Sequence, residues 1–240
     1  METVPSRPSH GEGGEAGTFP DEMIAVDGTT REYRLVVPES LPKDRAVPLV
    51  FVFHGFAVDS KDIISRYSGF SELAAKEGFI VVYPQGLQRR WRLEPEGNID
   101  LEFFDALYEQ LTARYNIDLN RVYATGMSNG GFFSNLLAAK RSATIAAVAP
   151  HSAGLGYLAN GIGAAHKRPV MIIHGTADRV VAVEQGRTAR DLFVKEGHEV
   201  EYVELAGFHH FWAGHVDIAA TIWEFFENHP MTVQRQPVTP

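Results

Sequence analysis

Tyr123-Ala-Thr-Gly-Met-Ser-Asn-Gly-Gly131 joins an apolar run, "RVYAT", to a helical pattern that begins at "FFSNLLAAK". The run stops at Gly126, and Ser128 stands between Gly126 and the pair Gly130 and Gly131. This is G-x-S-x-G set between a strand and a helix. A serine at the tip of so sharp a turn holds a strained backbone conformation, and side chains two residues away would collide across it. The turn lifts the hydroxyl above the edge of a sheet. The helix behind it begins with N–H groups that lack intrahelical partners and with the positive end of its dipole, both of which favour an oxyanion.

Working outward, "VPLVFVFHG" (47–55), "FIVVYPQG" (79–86), "IAAVAPHSAG" (145–154) and "PVMIIHGTADRVV" (169–181) are further continuous apolar runs. Runs without alternation are strands buried on both faces, as in a central parallel sheet. "EVEYVEL" (199–205) alternates instead, which places it near a sheet edge. Helical spacing fills the intervals: one helix over "DIISRYSGFSELAAKEG", one from Asp100 to Tyr115, one over "EQGRTARDLFVKEG" and one over "VDIAATIWEFFENH". "EMIAVDG" and "REYRLVVPE" are short β patterns that meet at Asp27-Gly28, a hairpin signal. Strands alternating with helices predict a doubly wound, mostly parallel α/β sheet with helices on both faces. Such sheets hold ligands at the carboxyl ends of their strands.

Residues 1–18 are rich in Gly, Glu, Ser and Pro and are expected to be disordered. They contain no apolar core of the kind a signal peptide needs. A single domain is expected over 19–229 and a tail over 230–240, with no internal repeat or domain linker. Of the 240 residues 45% are hydrophobic and the net charge is −8, so a soluble globular protein is expected, without nucleic acid or membrane as partner. The chain has no cysteine, which excludes thiolate nucleophiles, disulfides and cysteine-ligated metal. No H-E-x-x-H, dinucleotide or phosphate-loop motif is present, so no metal and no cofactor are expected.

A serine hydroxyl needs a base to remove its proton, and the base needs a carboxylate to orient it. In this architecture the chain order is serine, acid, histidine. Asp178 lies just past the "VMIIHG" strand and is the preferred acid, with Glu184 in reserve. "AGFHHFWAGH" (206–215) follows the last strand and offers His209, His210 and His215, of which one of the first two is the base. The backbone N–H groups of Phe56 and Asn129 are the expected oxyanion donors. His54 and His174 each precede a glycine at a strand end and are read as packed structural histidines. Trp91, Arg92 and Trp212 are candidates for the substrate wall, with the loop core as the competing place for the tryptophans.

The series "PLVFVFHGF", "FIVVYPQG", "NIDLEFF", "DLNRVYATGMSNGG", "AAVAPHSAG", "IIHGTADRVV" and "HHFWAG" resembles the esterase group that includes feruloyl esterases and poly(3-hydroxybutyrate) depolymerases, within the α/β-hydrolase superfamily. The likeness runs from about residue 30 to 228. It implies Ser128 as nucleophile and Asp178 as acid. The group's Gly-His-x-Trp-Pro-Gly pattern falls on residues 209–214, which puts His210 on the catalytic histidine. His209 replaces the pattern's glycine and Ala213 its proline. What the resemblance implies is a serine esterase acting on feruloyl-type or polyester-type esters, small or polymeric. Members of the group are often secreted. A peptidase of the prolyl-oligopeptidase type and a non-catalytic binding protein are the rival readings. The sequence leaves the oligomeric state open.

Overall fold

Leu49, Phe51 and Phe53 face one side of the strand Val47–Phe53 (β3 below), while Val50 and Val52 face the other, and all five are buried. Period-two geometry demands this of an apolar strand with a layer on each face. Burying side chains of this size contributes roughly 1.5–3 kcal/mol each. The computed structural model describes residues 4–57, 60–211 and 217–232.

Its strands are β1 (Gly17–Val26), β2 (Thr29–Val37), β3 (Val47–Phe53), β4 (Ile80–Pro84), β5 (Ile117–Met127), β6 (Ala147–His151), β7 (Val170–Gly175) and β8 (Val200–Leu205). They form one eight-stranded sheet in the order β1-β2-β4-β3-β5-β6-β7-β8. β1 and β2 run antiparallel to their neighbours; from β4 to β8 the pairing is parallel. The helices are α1 (Lys61–Tyr67), α2 (Phe70–Glu77), α3 (Ile99–Arg114), α4 (Asn129–Lys140), α5 (Val183–Lys195) and α6 (Ile218–Asn228). α3, α4 and α5 cover the face that receives Phe51 and Phe53; α1, α2 and α6 cover the face of Val50 and Val52. The expected doubly wound sheet is present, with β8 at an edge. Asp27 and Gly28 turn the β1–β2 hairpin with positive φ at both positions, 46° and 76°.

Two expectations need correction. The helix read as continuous over "DIISRYSGFSELAAKEG" is two, because Gly69 takes a left-handed φ of 76° between α1 and α2. The expected disorder of residues 1–18 fails for residues 4–18. The Arg7 N–H donates to the Asp118 carboxylate at 2.9 Å, the Ser9 N–H to the Ile117 carbonyl at 2.8 Å, and Gly17 already pairs with Val37. Glycine-rich composition removed the apolar signal but left backbone groups that the start of β5 can bind. Of the expected tail, Met231 is buried and its N–H donates to the Asn120 carbonyl at 2.7 Å; residues 233–240 lie outside the described residues, as do 1–3.

A buried ion pair joins β2 to the start of α3: Arg31 Nη2 lies 2.6 Å from Asp100 Oδ1, and the guanidinium stacks on Phe103 at 4.0 Å. The parallel strands finish on one edge, and the candidate residues follow them there.

Candidate active site

Ser128 bridges β5 and α4 with φ 53° and ψ −120°, a conformation that costs a non-glycine residue free energy. The surrounding glycines permit it. A Cβ on Gly126 would come within 2.6 Å of the Gly130 backbone and 2.7 Å of the Phe53 carbonyl oxygen, and one on Gly130 would overlap the carbonyls of Phe53 and His54. A Cβ on Gly131 would lie 2.7 Å from Ala153 Cβ. The Ser128 N–H donates to the His151 carbonyl at 3.0 Å, which ties the turn to the end of β6. Among the described residues the Ser128 hydroxyl makes no hydrogen bond.

Asp178 sits in the turn after β7 with its side chain fully buried. Its Oδ1 accepts from the N–H groups of Val180 and Val181 at 2.8 and 2.9 Å. Its Oδ2 lies 2.7 Å from Nδ1 of His210. A carboxylate at that distance accepts, so Nδ1 carries the proton and Nε2 is left as the basic nitrogen. The loop that brings His210 here crosses β7 at Gly175, where a Cβ would overlap the Phe208 carbonyl. His210 is buried, whereas His209 is exposed and its Nδ1 donates to the Ala177 carbonyl at 2.9 Å. Glu184 lies on α5, largely exposed, and pairs with Arg187 at 3.2 Å; the carboxylate on His210 Nδ1 is that of Asp178.

The backbone N–H groups of Phe56 and Asn129 follow β3 and Ser128. Among the described residues neither donates a hydrogen bond. Trp91, expected at the substrate wall, is instead 2% exposed. Its ring packs on Phe53 and Phe133 at 5.0 and 5.1 Å, and its indole N–H donates to the His54 carbonyl at 2.9 Å. Packing area and a partner for the indole N–H favour the core over the mouth of the site. The Trp91 main chain is gripped by the Asn129 side chain, whose Oδ1 accepts from the Trp91 N–H at 2.6 Å and whose Nδ2 donates to its carbonyl at 3.2 Å. Arg92 is exposed beside this anchor. Trp212 lies outside the described residues.

His54 and His174 are fully buried, as expected of structural histidines. Nε2 of His54 accepts the Gly86 N–H at 2.9 Å, so its Nδ1 carries the proton and donates to the Gly55 carbonyl at 2.6 Å. His174 Nε2 is 2.8 Å from the Val181 carbonyl and 3.5 Å from Asp178 Oδ2.

Sequence reading missed three contributors: the Asn129 side chain, His151 and Ser152. Burial, and then repulsion from the neighbouring His210 and His174, push the His151 imidazole down to about 3. Ser152 follows at φ 50°, and its hydroxyl donates to the His210 carbonyl at 3.3 Å. The rule that polar residues at strand ends matter most would have marked both, since His151 closes β6 and Ser152 follows it.

The family model described as esterase PHB depolymerase matches residues 31–167. Feruloyl esterase D of Neurospora crassa is 31% identical over 71% of this chain, which spans 61% of that protein. A bifunctional acetylxylan esterase/xylanase of Neocallimastix patriciarum is 34% identical over 66% of the chain, which spans 23% of it. The structure of a ferulic acid esterase from Anaeromyces mucronatus superposes with a TM-score of 0.70 at 18% identity, covering 95% of this chain and 92% of that one. At that identity the superposition shows the α/β-hydrolase fold.

Proposed function

Since the chain belongs to the esterase PHB depolymerase family, we propose that it is a serine esterase that cleaves carboxylic esters through an acyl-enzyme. The observation that carries this reading is the 2.7 Å bond between His210 and Asp178 on the strand-end edge that also bears the strained Ser128.

Ser128 Oγ attacks the ester carbonyl while its proton passes to Nε2 of His210. Asp178 holds the imidazole in the required tautomer and stabilises its charged form. The Ser128–His210 hydrogen bond, which is not made among the described residues, forms as substrate fills the site. The N–H groups of Asn129 and Phe56 receive the oxyanion. The C–O bond to the alcohol breaks, and the alcohol takes the proton from His210. Water then attacks the acyl carbon and gives a proton to His210; the bond from Ser128 Oγ to the acyl carbon breaks, Oγ takes that proton back from His210, and the acid leaves.

The names of the relatives favour feruloyl or acetyl groups; the family description favours polyester. Exposed Phe56, whose N–H is an expected oxyanion donor, and exposed Phe211, next to His210, supply apolar surface for either acyl class. Among the described residues no helix is long and apolar enough to cross a membrane.

The test is a hydrolysis panel of methyl ferulate, short 4-nitrophenyl esters, polyester film and an aminoacyl amide. Turnover of at least one ester class supports the reading. Turnover of the amide alone would replace it with the peptidase reading.

A further inference from the structure

Arg89, Arg90 and Arg92 are three exposed cations within four residues of a chain whose net charge is −8. Among the described residues no carboxylate pairs with any of their guanidiniums, whereas Arg31, Arg34, Arg141 and Arg187 all have such partners. Concentrated like charge repels itself, and among the described residues the nearest printed acceptor is the Ala57 carbonyl, 3.5 Å from Arg89 Nη1.

The loop that carries them is fixed. Gln88 and Arg89 hold positive φ, 53° and 56°. The Arg89 carbonyl accepts the Ala57 N–H at 2.9 Å, next to Phe56. Trp91 is clamped to Asn129, the neighbour of Ser128. Arg90 is extended at φ −150°, ψ 158°. With Trp91 buried on one side of this extended stretch, its neighbours Arg90 and Arg92 project to the other. Both line a hollow of about 190 Å³ with Leu87, Gln88 and Asp100. The Asp100 carboxylate in its floor is already offset by Arg31 at 2.6 Å and by the Arg92 N–H at 2.8 Å. Guanidiniums carried on a fixed main chain, with no carboxylate partner among the described residues, are planar donors suited to a carboxylate.

We propose that this arginine loop binds a carboxylate carried by the ester substrate, so that the site prefers anionic esters over neutral ones of the same shape. The inference rests on the esterase reading and narrows its substrate class. The carboxylate belongs to the acyl part or to the alcohol part, and two pairs of probes separate these. 4-Nitrophenyl hydrogen glutarate against 4-nitrophenyl pentanoate tests the acyl side. Acetoxyacetate against acetoxyacetamide, each with one ester bond and followed by pH-stat, tests the alcohol side.

In one of the two pairs the anionic ester is expected to have about tenfold higher kcat/KM at low salt. The advantage shrinks as salt rises from about 20 mM to about 500 mM, because the screening length falls to a few ångströms. It is erased in the combined variant Arg89→Gln/Arg90→Gln/Arg92→Gln, and is kept in Arg45→Gln, which changes charge at the far end of the sheet. Single substitutions, each lowering the anionic-to-neutral ratio severalfold, serve if the combined variant does not fold. Equal rates within both pairs, or an advantage that the arginine substitutions leave intact, would overturn the inference while leaving the esterase reading standing. Failure to hydrolyse any neutral or anionic ester would instead remove the esterase reading.

Discussion

Asp178 and His210, thirty-two residues apart in sequence, meet at 2.7 Å through Oδ2 and Nδ1. The other carboxylate oxygen is held by two backbone N–H groups of its own turn. The acid is therefore oriented by the main chain before it orients the imidazole. Asp178→Asn keeps the shape but replaces an acceptor with an amide that can present its N–H to Nδ1, forcing the wrong tautomer. The expected loss in kcat is on the order of 10³- to 10⁴-fold, with the thermal midpoint moved by a few degrees at most. Steady-state kinetics and a melting curve check it; a loss below tenfold would remove Asp178 from the mechanism.

Gly130 packs against the carbonyls of Phe53 and His54 with no room for a methyl group. Those neighbours are backbone and cannot swing aside. Gly130→Ala is expected to cost about 3 kcal/mol or more, the upper range for overpacking. Urea denaturation measures this, and a cost under about 1 kcal/mol would contradict the described turn.

Ser152 has a positive φ of 50° and its hydroxyl holds the His210 carbonyl. Glycine would relieve the left-handed strain, worth about 1 kcal/mol, while losing a hydrogen bond of similar size. Ser152→Gly should therefore retain stability within about 1 kcal/mol and still lose several-fold in kcat, because the His210 loop loses an anchor. Ser152→Ala keeps the strain and should be the less stable of the two. If both variants turn over at the wild-type rate, Ser152 does not position His210.

His151 stays neutral in the fold, with its pKa pushed down to about 3 against 6.5 in an unfolded chain. Between those values the unfolded state binds the extra proton, so stability falls as pH drops below about 6.5 and is complete above it. At pH 5 the group should remove about 2 kcal/mol relative to pH 7. Replacing it with glutamine should flatten the pH dependence of stability by that amount. Parallel curves for the two proteins, in denaturation at pH 5 and 7, would count against a buried neutral imidazole.

Much of this architecture could be read from the chain because unalternating runs such as "VPLVFVF" have one use, a strand covered on both faces. Ser128 was legible because glycines at positions 126, 130 and 131 exclude most other turns. Asp178 was legible from its place past β7, while His209 and His210 could not be told apart by position alone. Two adjacent residues differ only in which way the loop turns them, and that depends on the approach of Phe208 to Gly175. Trp91 was ambiguous for a similar reason: the Phe53–Phe133 slot that holds it is assembled from β3 and α4, far apart in sequence. The single helix expected over 62–78 came from apolar spacing that continues across a glycine. Spacing carries no information about the sign of φ at Gly69.

The central claim is that Ser128 becomes acylated, and trapping with a fluorophosphonate followed by peptide mapping tests it most directly. The account predicts one adduct on Ser128, none in Ser128→Ala, and ester turnover lower by about 10⁴-fold or more in that variant. An adduct on another residue, or ester hydrolysis that survives Ser128→Ala, would contradict it.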